Sequence, residues 1–101
     1  MIDRFGLKEG DLALIINVLN SEPAVSEAYI FGSRASGKFS NGSDIDIALK
    51  GITLNLGIVT RLSYLLNEEL SLPYFFDLVD YNTIKATELK DHIDRVGIKI
   101  L

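Results

Sequence analysis

Apolar residues recur at helical spacing in three segments of the chain. In Glu9–Asn20 they occupy positions 12, 14, 15, 16, 18 and 19, which predicts a largely buried helix with acidic residues in its first turn. Leu54–Leu70 has the spacing of an amphipathic helix several turns long. Thr87–Val96 predicts a shorter helix, and Gly97 is suited to end it.

Four other segments have the character of strands. Asp44–Leu49 alternates polar and apolar residues, which is the period of a strand with one buried face. Ala24–Phe31 and Tyr74–Val79 are rich in residues that favour strands, and Ile98–Leu101 is a short final strand. A helical turn at Ser33–Gly37 is predicted directly after the strand Ala24–Phe31.

The order and size of these elements predict the fold class. They build an α+β fold, in which a mixed sheet of about four strands packs with helices. Because 101 residues are too few for two separate cores, residues 1–101 are expected to form a single domain.

Composition excludes several classes of function. The formal net charge is −4 and no basic stripe is visible, so direct binding of nucleic acid is not expected. The chain has no cysteine and one histidine, which excludes thiolate and histidine-rich zinc sites. No apolar run is long enough to span a membrane, and the N-terminal residues lack the apolar segment of a signal peptide. We therefore expect a soluble, cytoplasmic protein.

The segment Gly32–Lys38 resembles a phosphate-binding P-loop, but only in part. It reads G-x-x-x-x-G-K, whereas a P-loop continues with a serine or threonine that binds Mg²⁺ and with a helix. Here Phe39 follows the lysine, and the turn formed by Asn41 and Gly42 would end any helix. The P-loop interpretation is therefore rejected.

Two aspartates in the second predicted strand are the better candidates for phosphate chemistry. Asp44 and Asp46 are two residues apart, so they point to one face of the strand, about 6.6 Å from each other. Neighbouring carboxylates repel each other unless a cation lies between them, and oxygen ligands suit Mg²⁺. The residues that follow do not fit an EF-hand. An isolated pair of this kind is usually a solvated strand face, so its context matters.

That context contains further candidates. Gly32 and Ser33 lie at the end of the preceding strand, where a glycine lets a phosphate approach the backbone and a serine adds a hydroxyl and an N–H. Asp77 lies within an apolar strand, where a charge needs a partner, either a metal ion or a basic side chain. Asp80 competes with Asp77 for this role, but it begins a loop in which it can cap the turn.

Taken together, these motifs resemble a known family. Gly-Ser, then ten residues, then Asp-x-Asp, and a third aspartate on a later strand resemble the signature of the DNA polymerase β-like nucleotidyltransferases. More narrowly, the chain resembles the minimal nucleotidyltransferase (MNT) antitoxins of HEPN/MNT toxin–antitoxin pairs. The resemblance extends over almost the whole chain and implies a nucleotidyltransferase fold like the polymerase β palm.

The resemblance also implies a site and a reaction. Asp44, Asp46 and Asp77 would be catalytic and would hold two Mg²⁺ ions, and Gly32 and Ser33 would bind the phosphates of ATP. AMP would pass to a hydroxyl group, often that of a tyrosine, on a HEPN toxin. This transfer would silence the toxin, with which the chain would form a complex.

The basic residues near this motif carry less specific expectations. Arg34, which follows Gly32 and Ser33, is assigned to the nucleotide site by the resemblance. Arg34 or Lys38 could neutralise pyrophosphate, although a solvated surface position is the commoner place for a basic side chain. His92 is expected on the surface of the last helix or at an interface, because nothing near it in sequence orients it for catalysis.

Two other functions stay open at the level of sequence. The chain could neutralise a toxin by binding alone, with aspartates that no longer catalyse. It could instead transfer a nucleotide to a small molecule such as an aminoglycoside, although related enzymes of that kind normally use a second domain, for which we expect no room here.

Overall fold

A computed structural model of the chain describes residues 5–40 and 42–101. Asn41, half of the predicted turn with Gly42, lies outside the described residues. The helices and strands follow one another in the order α1 (Asp11–Asn20), β1 (Glu27–Phe31), α2 (Gly32–Ser36), β2 (Ile45–Lys50), α3 (Leu56–Tyr64), β3 (Phe76–Asp80), α4 (Thr87–Val96) and β4 (Ile98–Lys99). A π-helical turn at Leu65–Glu69 continues α3, and a 3₁₀ turn at Tyr81–Thr83 follows β3. The predicted α+β fold is confirmed.

Some element boundaries differ from the predictions because of local backbone structure. β1 begins three residues later than expected because the N–H of Val25 donates to the carbonyl of Glu22, which closes a turn. The long predicted helix stops as an α-helix at Tyr64 and continues in the wider π-helical turn. Ser71 then ends it, because its φ of 52° is incompatible with a right-handed helix.

The described strands form a mixed four-stranded sheet in the order β3-β2-β1-β4. β1 pairs with β2 and with β4 in antiparallel fashion, whereas β2 and β3 are parallel. In this register Asp46 lies opposite Phe31 on one side and opposite Asp77 on the other. Asp46 therefore lies between the last residue of β1 and the second residue of β3.

The sheet packs differently on its two faces. On the first face, buried β2 residues contact α1 and α3, in a core that includes Ile15, Leu19, Ile45, Ile47, Leu49 and Leu62. On the second face, Ile93 of α4 packs against Phe31 and Ala48. Because side chains alternate along a strand, Asp46 belongs to the second face, beside α4. No helix within the described ranges is both long and apolar enough to cross a bilayer.

Candidate active site

Three aspartates lie near one another at one end of the second face of the sheet. Asp46 and Asp77 are direct partners in the parallel pairing of β2 and β3, so their backbones are about 4.8 Å apart and their side chains leave the same face. Asp44 precedes β2 and lies two residues before Asp46. Asp44 and Asp77 are exposed, whereas Asp46 is half-buried between them. Asp46 and Asp77 are thus adjacent, and Asp44 is close enough for its charge to act on Asp46.

The electrostatics of Asp46 reflect this arrangement. Burial raises the pKa of its carboxyl group, and the charges of Asp77 and Asp44 raise that pKa further, whereas a protonated His92 would lower it. The charged form of Asp46 is thus disfavoured in the absence of a cation. A divalent ion at this position would remove both the repulsion and part of the cost of burial.

The side chains of the three aspartates fit a magnesium site in their chemistry, although their carboxylate oxygens do not converge on one position. Carboxylate oxygens are the ligands that Mg²⁺ prefers. In residues 5–40 and 42–101, no three acidic or histidine side chains converge closely enough to hold an ion as they lie. Rotation about the side-chain bonds would be needed for the carboxylate oxygens to surround an ion.

Gly32 forms the floor of this acidic site. Its φ of 72° lies in the left-handed region, and a Cβ atom at this position would lie 2.3 Å from Oδ2 of Asp46. Any other residue would be strained and would collide with the carboxylate. The turn formed by Gly32 and Ser33 therefore touches the central acidic residue directly, and Ser33 beside it is half-exposed.

Arg34 requires a correction. It is neither solvated nor turned toward a nucleotide, because it is only 2% exposed. Its Nε and Nη2 donate to the carbonyl of Ser43 at 3.1 and 2.8 Å, and its Nη1 donates to the carbonyl of Phe5 at 2.9 Å. Arg34 thus connects α2 to the residue that immediately precedes Asp44, and its contacts are with the protein itself.

His92 was expected on the helix surface or at an interface, and the structure places it beside Gly32. Its Nε2 accepts a hydrogen bond from the N–H of Gly32 at 3.1 Å, and its ring meets Phe31 edge to face. A sequence signal for this position exists in α4. His92 is three residues after Leu89 and four before Val96, so it shares their sheet-facing side.

Asp80 does not join the cluster. It lies opposite Leu49 in the register, so it leaves the sheet on the opposite face from Asp46. Its Oδ1 accepts the N–H of Asn82 at 3.1 Å and caps the 3₁₀ turn. This geometry agrees with the preference for Asp77 as the third acidic residue.

Comparison with known families identifies the fold. The family model described as "Polymerase beta, Nucleotidyltransferase" matches residues 14–101, which include the Gly-Ser turn and all three aspartates. The chain belongs to this family of nucleotidyltransferases. Comparison with curated proteins gives no match.

Solved structures similar to this nucleotidyltransferase include several toxin–antitoxin complexes. A toxin–antitoxin structure with AMP-PNP is 30% identical, with a TM-score of 0.73 over 88% of this chain and 71% of that chain. A MntA–HepT toxin–antitoxin structure is 26% identical, with a TM-score of 0.67 over 91% and 70%. A third contains tri-AMPylated Shewanella oneidensis HEPN toxin in complex with MNT antitoxin and is 28% identical, with a TM-score of 0.66 over 87% and 66%.

Proposed function

We propose that this nucleotidyltransferase moves AMP from ATP to a hydroxyl group of a HEPN toxin, that of a tyrosine, and thereby acts as its antitoxin. The observation that carries the proposal is the pairing of Asp46 with Asp77 beside Gly32. The similar structures support the choice of nucleotide and partner, because one contains AMP-PNP and another contains an AMPylated HEPN toxin. The reaction belongs in the cytoplasm, and residues 1–101 act in it as one nucleotidyltransferase domain.

The proposed site residues divide the work between metal binding and phosphate binding. Asp44 and Asp46 would bind both of two Mg²⁺ ions, and Asp77 would complete the site on the side of the acceptor. Bound Mg²⁺ supplies charge neutralisation at the phosphate oxygens and favours ionisation of the attacking hydroxyl. Gly32 and Ser33 would hold the β- and γ-phosphates against the floor of the site. Arg34 is left out of the nucleotide contacts because it is buried.

In the proposed transfer, the acceptor oxygen attacks the α-phosphorus of ATP. A new oxygen–phosphorus bond forms, and the bond between the α-phosphorus and the oxygen that bridges to the β-phosphate breaks. Pyrophosphate leaves with the electron pair of that bond. Asp77 is exposed and would lie on the side of the acceptor, so we assign to it the proton of the acceptor hydroxyl.

A direct test uses ATP labelled at the α-phosphate, Mg²⁺ and a purified HEPN toxin. We expect label on the toxin, with mass spectrometry locating AMP on tyrosine, and we expect Asp46→Asn to reduce labelling by at least about 100-fold. Asp80→Asn is the matched control. It changes the same residue type on the neighbouring strand β3, but on the other face of the sheet, so labelling should persist.

Two outcomes would contradict the proposal. An inhibited but unlabelled toxin would show that the chain neutralises its partner by binding alone. Label that moves to an added aminoglycoside and not to the toxin would show a small-molecule transferase.

A further inference from the structure

The imidazole of His92 is held in place by two separate contacts. α4 is anchored to the sheet by Ile93, which is buried against Phe31 and Ala48. The adjacent His92 ring then meets the Phe31 ring with 6.1 Å between centroids and an angle of 77° between planes. Its Nε2 accepts the N–H of Gly32 at 3.1 Å. The ring therefore cannot rotate without losing one of these contacts.

The hydrogen bond defines the chemical state of the ring. A nitrogen that accepts a hydrogen bond carries no proton, so this contact requires a neutral imidazole with its proton on Nδ1. The contact also defines the direction of the Gly32 peptide, whose N–H is turned toward α4.

Gly32 is thus confined from two sides. His92 holds its N–H, and Oδ2 of Asp46 fills the space that a side chain would need, only 2.3 Å from the position of a Cβ atom. The left-handed φ of 72° keeps the next residue, Ser33, at the turn beside the acidic cluster. Loss of either contact would let the turn move relative to Asp46.

We propose that His92 is a positioning residue, which holds the Gly32–Ser33 turn in the orientation that binds the nucleotide phosphates. It acts through Gly32 and takes no part in the bond changes. The inference rests on the proposed function, since it assigns a task to His92 at the same site, and it adds α4 to the elements that build that site.

Three substitutions separate the hydrogen bond from the other properties of the side chain. His92→Gln can place its amide oxygen where Nε2 lies, whereas His92→Asn is shorter and cannot reach Gly32. His92→Phe keeps a ring against Phe31 but has no acceptor. All three variants are uncharged, so a change in the field at Asp46 is common to them and cannot produce a difference between Gln and Asn.

The first measurement is the dissociation constant of α,β-methylene-ATP in the presence of Mg²⁺, since this analogue cannot be cleaved at the reacting bond. We expect His92→Phe and His92→Asn to weaken binding roughly 5- to 10-fold, the effect of one neutral hydrogen bond, and His92→Gln to stay within about 2-fold of the wild type. In the labelling assay the KM for ATP should rise in the same order, with kcat changed by less than about 3-fold.

A second measurement needs no variant. In protein labelled with ¹⁵N, a scalar coupling across the hydrogen bond should connect the Gly32 amide nitrogen with Nε2 of His92, and the ring shifts should report the tautomer with the proton on Nδ1. This readout keeps the inference testable even where a substitution impairs folding.

The outcomes separate this inference from the proposed function. Equal binding of the analogue by the wild type and all three variants would overturn the role of His92 alone. Absence of the coupling in wild-type protein would do the same. Equal weakening in the Gln, Asn and Phe variants would also overturn it, because the acceptor would then not matter. Wild-type protein that binds no nucleotide would overturn the proposed function and this inference with it.

Discussion

Arg34 shows how a single buried charge can hold two parts of the site together. Its guanidinium donates to the carbonyls of Ser43 and Phe5, and it lies over the rings of Phe39 and Tyr74 at 5.4 and 5.3 Å. Burying a charge is costly unless hydrogen bonds and aromatic faces compensate it, and both are present here. The segment before Asp44 is thereby fixed to α2.

We expect Arg34→Lys to lower the free energy of unfolding by about 2–4 kcal/mol, measured by urea denaturation. A lysine has no planar pair of N–H groups for the Ser43 carbonyl, and it leaves buried acceptors unsatisfied. Lys38→Ala, at a nearby exposed position, is the control and should change stability by about 0.5 kcal/mol or less. An Arg34→Lys protein as stable as the wild type would show that the bidentate contact is dispensable.

At this scale, the sequence points to some residues of the candidate site more directly than to others. Asp44, Asp46 and Gly32 can be identified because they lie within one short stretch whose strand period puts the acidic side chains on one face. Arg34 and His92 could not be assigned in this way. Arg34 bonds to Phe5, 29 residues away, and His92 bonds to Gly32, 60 residues away, and no local pattern encodes such long-range contacts.

Among the elements, the strand that carries Asp77 has an unusual support. β3 is at the edge of the sheet, and Asn67 of the π-helical turn bonds to its backbone. The Asn67 amide donates to the Phe76 carbonyl at 3.0 Å, and its oxygen accepts the Phe76 N–H at 2.8 Å. One side chain thus satisfies both backbone groups of the residue next to Asp77.

We expect Asn67→Ala to lower the free energy of unfolding by about 1–3 kcal/mol, because two backbone groups of β3 lose their partner. Hydrogen exchange at the Phe76 amide should become faster than in the wild type. Asn20→Ala, at an exposed position in α1, is the control and should leave this exchange rate unchanged. Unaltered protection of the Phe76 amide in Asn67→Ala would mean that the pairing with β2 alone holds the strand.

The same region explains why one predicted helix is two elements in the structure. Apolar spacing over Leu54–Leu70 is continuous, so periodicity predicts a single helix. A π-helical turn inserts one extra residue per turn, which shifts the direction of Asn67 with little change in the apolar pattern. Periodicity therefore locates the helix but does not resolve the change of winding.

For the whole molecule, the charges around Asp46 predict that stability depends on pH. The chain has a net charge of −4, and burial together with Asp77 and Asp44 raises the pKa of Asp46 above its ordinary value of 3.8. Because the folded protein holds this proton more tightly than the unfolded chain, the contribution is fully present below pH 3.8. It is lost as the pH rises through the raised pKa of Asp46.

Metal-free Asp46→Asn protein should therefore unfold at a higher temperature than the wild type at neutral pH, by about 2–5 °C, since the amide removes the charge and keeps the shape beside Gly32. Mg²⁺ should raise the midpoint of the wild type, because an ion that binds only the folded state stabilises it, and should have little effect on Asp46→Asn. Asp80→Asn provides the matched control and should respond to Mg²⁺ as the wild type does. The measurement is thermal unfolding with and without Mg²⁺. An Asp46→Asn protein that is less stable than the wild type without metal would contradict the predicted repulsion at Asp46. An Asp46→Asn protein that Mg²⁺ stabilises as much as the wild type would place the ion elsewhere.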